Sequence, residues 1–243
     1  MADGVPIART VDMSSHEPLT EIPVSRAGVE QRARFIANTY LHLLAAIGVF
    51  ALAELLLFAS GLAEPIALAM LRVNWLLILG AFVLASFGGS HLAHRAASRQ
   101  AQYAGLGFVI VAEALIFVPL LWIADFYAPG AIRSAAVVTA IGFAALTFIA
   151  FRTRRDFSFL RSLLLWGGTI AMVLIVAAVI WGLELGTLFA IAMVAFAGVA
   201  ILYDTSNVLH HFSEDRYVAA ALELFSSIAL MFWYVLSIFI PRD

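Results

Sequence analysis

Between about Tyr40 and Ile240 the chain carries seven apolar stretches, each long enough to cross a bilayer. A hydrocarbon core of roughly 30 Å is spanned by about 20 helical residues. The stretches run Tyr40–Ser60, Asn74–Leu92, Tyr103–Ala124, Ala135–Phe151, Leu163–Trp181, Gly186–Tyr203 and Ala219–Ile240. Hydrophobic residues make up 63% of the sequence and charged ones 12%, where soluble domains hold about half and a quarter. In lipid, backbone polar groups must be satisfied within the span, which excludes open sheet. Short connections then predict an all-α, polytopic membrane protein, a compact seven-transmembrane-helix bundle.

With 243 residues there is room for seven spans and short loops but for no separate soluble domain. A net charge of −2, with no basic, aromatic-interleaved surface, gives nucleic acid no footprint. The absence of cysteine excludes disulfides, thiolate catalysis and cysteine metal sites. All fourteen basic residues are arginine, so the Schiff-base lysine of a seven-helix retinal protein is missing. Residues 1–30, polar and interrupted by Pro6, Pro18 and Pro23, read as a disordered cytoplasmic tail lacking the apolar core of a secretory signal. Residues 31–243 form the transmembrane domain, with helix expected from about Val29.

Arginine placement sets the expected orientation. Eleven arginines, among them Arg32, Arg34, Arg95, Arg99, Arg155 and Arg216, flank one set of span ends; only Arg72, Arg133 and Arg242 flank the other. The amino terminus is therefore expected in the cytoplasm and the carboxyl terminus outside. Gly88-Gly89, Gly167-Gly168 and the Ala192/Ala195/Gly198 series suit close helix packing. Pro119 is expected to kink the third span. No internal repeat supports a transporter built from inverted halves.

Chemistry must lie with the few ionisable residues at membrane depth, each costly there. Glu54, late in the first span, is placed to snorkel outward. Glu113, midway along the third, must bond a neighbouring helix or line a polar cavity. Asp204 closes the sixth apolar run, and the stretch to His211 reads as the connection to the last span. Glu223 and Ser227 share one face of that span at i, i+4. Asp204 and Glu223 are therefore expected to approach each other at the cytoplasmic mouth. Two carboxylates in a partly dry site do not both ionise cheaply, so they form a proton-sensitive switch or a hard-cation ligand set. Arg95, Arg99 and Arg216 are candidates to latch Asp204.

His91, His94, His210 and His211 raise a zinc-hydrolase alternative, with Asp204 nearby, although no HExxH pairing fixes ligand geometry. Gly88-Gly89-Ser90-His91-Leu92 lacks the second glycine of a nucleophile elbow. No catalytic residue set is assigned, and no cofactor beyond transient calcium.

Ile201-Leu202-Tyr203-Asp204-Thr205, followed by Tyr217-Val218-Ala219-Ala220-Ala221-Leu222-Glu223-Leu224-Phe225, resembles the Bax inhibitor-1 (TMBIM) family in its bacterial form. Arg155-Asp156-Phe157-Ser158-Phe159-Leu160 and Asn38-Thr39-Tyr40 match in the right order, so the resemblance runs from about Arg32 to the carboxyl terminus. It implies a bundle with the last helix central and, in one branch, a pH-sensitive calcium leak carried by an aspartate pair. Asp204 matches the first aspartate, but Ser227 stands where the second is expected. Gly80 lies near the place of an expected acid in the second span. These departures, with Thr205-Ser206-Asn207, His210 and Arg242-Asp243, look like the YccA-type branch, which is associated with a membrane-anchored quality-control protease. Two main readings follow: a cation leak in the inner (plasma) membrane, or a non-transporting modulator of such a protease.

Overall fold

The computed structural model describes residues 23–26, 28–95 and 98–241. Among the described residues eight α-helices follow one another: α1 (Val29–Ala59), α2 (Ala63–Leu71), α3 (Trp75–Arg95), α4 (Arg99–Tyr127), α5 (Ala131–Thr153), α6 (Leu160–Trp181), α7 (Gly186–His210) and α8 (Tyr217–Phe239). All but α2 are long and apolar enough to span a membrane, as the seven stretches predict. The nine-residue α2 is an addition: Ala63 and Ala67 tuck its inner face against Val118 of α4. The spans alternate in direction. At one end α1, α4, α6 and α8 begin and α3, α5 and α7 finish; this is the arginine-rich end.

Most of the expected tail, residues 1–22, lies outside the described residues. Its last part is structured rather than disordered. Val24–Arg26 form a 3-10 turn, Val24 N–H donates to the Phe212 carbonyl at 2.8 Å, and Ser25 Oγ donates to the His210 carbonyl at 2.9 Å. Val24 is wholly buried beside Phe35 and Phe212 in the core at the arginine-rich end.

α8 is central, and its stretch Val218-Ala219-Ala220-Ala221-Leu222 is enclosed on every side. Three successive alanines let neighbours approach from any direction. α1, α3, α4, α5 and α7 pack on it; α6 does not, reaching the bundle through α7 and a short contact with α3. α4 is as deeply buried as α8, with Pro119 inside it. α3 and α4 cross at two glycines. A Cβ on Gly105 would stand 2.6 Å from the Gly89 carbonyl oxygen, so only glycine permits this approach. Gly167 is likewise pressed against the Phe196 ring, 3.0 Å from where a Cβ would sit.

Candidate functional site

α7 does not end at Asp204. It continues two turns to His210, so Asp204-Thr205-Ser206 is buried helix and not a connection in headgroup water. Asp204 and Ser206 each have a hydrogen-bond partner there. Ser206 Oγ accepts from the Phe157 N–H at 2.9 Å, docking the α5–α6 loop on α7. Asp204 is 7% exposed. Ser227 Oγ of α8 donates to its Oδ2 at 2.5 Å.

Glu223 does not bond Asp204, although the two lie within charge–charge range. Its partner is His94, whose Nε2 is 2.8 Å from Glu223 Oε1. The proton count follows from elementary chemistry. His94 Nδ1 sits 2.8 Å from the Ser90 carbonyl, which can only accept, so Nδ1 carries hydrogen. One further proton is then shared between Nε2 and the Glu223 carboxyl, whichever atom holds it. Arg216, at the start of α8, donates from a terminal guanidinium nitrogen to the His94 carbonyl at 2.9 Å, pinning α8 to the last turn of α3.

The latch candidates take other positions. Arg99 stacks over the Tyr217 ring at 5.5 Å, Arg95 is exposed, and Arg216 binds α3 and contacts Asp215. Among the described interactions, the hydrogen bond to Asp204 comes from Ser227, not from an arginine.

A cavity of about 790 Å³ separates α6 from α8, and Glu113 lines it. The cavity-lining stripe of α8 contains Ser237, Trp233, Leu230 and Ser226, and one turn further on the same face is Glu223. The matching stripe of α3 contains Trp75, Leu79, Phe82, Ser86 and Ser90, and its next turn presents His94. The His94–Glu223 bond thus joins the two walls at the point where the cavity stops. His94 was weighed in the sequence only as a metal ligand. The i, i+4 series Ser86, Ser90, His94 was the signal for its place on a polar stripe.

Glu54 does not snorkel. Its carboxyl oxygens are enclosed and have no hydrogen-bond partner among the described residues. The other histidines disperse: His91 is exposed, His210 Nδ1 bonds the Ser206 carbonyl, and His211 Nε2 bonds Asp156 Oδ2 at 3.0 Å. Among the described residues no three His, Asp or Glu side chains converge on a possible metal position.

Asp156 also accepts from the Ser158 N–H at 2.9 Å. Slight desolvation by burial raises its carboxyl pKa, but the Ser158 backbone bond and the His211 ring outweigh it and hold the group below its ordinary value. A depressed folded-state pKa means that the clamp is intact above about pH 4 and is lost only as pH falls through the lowered value. Asp156→Asn should therefore loosen the α5–α6 loop at neutral pH. Trypsin should then cut after Arg154 or Arg155 several times faster than in the native chain. Equal cutting rates would show that the clamp does not hold the loop.

The family described as Bax1-I, inhibitor of apoptosis-promoting Bax1, matches residues 32–243. No curated protein matches the sequence.

Proposed function

The chain belongs to the Bax inhibitor-1 family, and from that premise we propose that it is a pH-sensitive cation leak, with calcium the leading candidate ion, gated by the His94–Glu223 bond. The observation that carries this reading is the position of that bond, at the meeting of the polar stripes of α3 and α8 where the cavity ends. With one shared proton the bond is charge-assisted and holds the path closed. Losing that proton as pH rises leaves a carboxylate facing the lone pair of Nε2, so the bond breaks and the closed–open balance shifts toward open. Asp204 from α7 and Arg216 on α8 are the other charged groups beside it. Loss of a bond worth about 1 kcal/mol corresponds to roughly a five-fold change in the open population.

The arginine bias supports placing the His94–Glu223 end in the cytoplasm of a cell whose plasma membrane holds the protein. The test is flux of calcium and of potassium from liposomes carrying the purified chain. Calcium release rising about five-fold from about pH 6 to about pH 8 supports the leak. No release above empty liposomes at either pH removes it.

One observation favours a second reading, a non-transporting modulator of a membrane-anchored protease. Ser227 offers Asp204 a hydroxyl rather than a second carboxyl, so the α7–α8 contact has one titrating group fewer. A flux-silent protein that co-purifies with such a protease would fit that reading.

A further inference from the structure

The cavity between α6 and α8 has three properties that together specify an occupant. First, its charge: Glu113 is the only acid lining it, and no arginine or histidine lines it among the described residues. Glu113 is 6% exposed and has no hydrogen-bond partner among the described residues. Its carboxyl nonetheless borders the open space. A buried acid with no donor beside it is kept neutral by its own proton, and a cation entering the cavity can replace that proton.

Second, the walls: Trp75, Phe82, Phe117, Phe189, Trp233 and Tyr234 surround the space with aromatic faces. The negative face of an aromatic ring attracts a cation, indole most strongly, and lipophilic ammonium-type ions are recognised by such cages. Third, the entrance: α3 and α6 meet only over a short contact, and between them Phe87, 70% exposed, lines the mouth. In a bilayer that mouth opens on hydrocarbon, so an occupant entering by it must carry an apolar shell. The volume of about 790 Å³ lies within the roughly 300–1,000 Å³ of pockets that take drug-sized molecules.

We propose that this cavity is a binding site for lipophilic organic cations, with Glu113 as the counter-ion and the aromatic walls as the cage. The site does not depend on conduction: a chain that leaks nothing would still bind, and a leak with an empty cavity would refute only this site.

The probe is tetraphenylphosphonium, and its control is tetraphenylborate, which has nearly the same size and shape with the opposite charge. Binding is read by quenching of tryptophan fluorescence and by equilibrium dialysis, with the full chain in lipid nanodiscs. The phosphonium should bind saturably, and the borate at least roughly ten-fold more weakly. Glu113→Gln should weaken phosphonium binding by at least roughly ten-fold and leave the borate unchanged. Equal binding of the two ions to the native chain would overturn the proposal without any variant. Native-like phosphonium affinity in folded Glu113→Gln protein would overturn it as well.

Discussion

Liposomes carrying the Glu223→Gln chain should release calcium at nearly the same rate at about pH 8 and about pH 6, where the native chain changes roughly five-fold. The argument is one of donors and acceptors. Native Glu223 needs a shared proton to bond His94, so its bond strength depends on how many protons the pair holds. A glutamine amide does not titrate, and it offers both an N–H and a carbonyl. It donates to Nε2 when the imidazole is neutral and accepts from it when the imidazole is charged. The bond then survives either way, and the pH response goes flat. His94→Ala removes the bond altogether and should raise release at about pH 6 to at least the native rate at about pH 8. A Glu223→Gln chain with the native pH response would show that the sensor lies elsewhere.

The second large effect is a gain. Ser227 Oγ lies 2.5 Å from Asp204 Oδ2, so Ser227→Asp brings a second carboxyl within hydrogen-bonding reach of the first. Two carboxyls so placed share one proton and titrate as a pair, with their two steps pushed apart by several pH units. Added to Glu223→Gln, this substitution should restore a pH dependence and make it steeper than the native one, by roughly ten-fold between about pH 8 and about pH 6. The measurement is the same calcium release. A folded double variant that stays flat would mean that the α7–α8 contact plays no part in gating, which would favour the modulator reading.

The fold was legible because a bilayer simplifies the inference. Span length and arginine bias each follow from one solvent, and the central place of α8 followed from the family resemblance. α2 was missed because nine apolar residues after a turn look like a loop between spans. Residues after Asp204 were misread for a different reason. A polar run at the end of an apolar stretch resembles a helix terminus unless its partners are known, and those partners, Phe157 and Ser227, lie 49 and 23 residues away. The site was half visible. Asp204, Glu223 and Ser227 were all found, but the bonds are Asp204–Ser227 and Glu223–His94 rather than Asp204–Glu223. Pairing depends on which way each helix is rotated, and α3 and α8 are far apart in sequence. The arginines likewise took other partners: Arg99 an aromatic face and Arg216 a helix terminus.

The tail shows the same limit. Nothing in Pro23-Val24-Ser25-Arg26 marks it as ordered. It becomes so because the α7–α8 connection offers the Phe212 carbonyl and an apolar recess for Val24.

The central claim is that the His94–Glu223 bond seals the cavity from the arginine-rich end, and the cysteine-free sequence makes it directly measurable. A single Ser226→Cys substitution puts a thiol on the cavity wall one turn below Glu223. A charged thiol reagent that cannot cross lipid, applied from the arginine-rich side at neutral pH, should modify it slowly in the otherwise native chain. Adding His94→Ala should speed the reaction at least roughly ten-fold, as expected when a part-buried charge-assisted bond is removed. The same rate in both chains would contradict the seal.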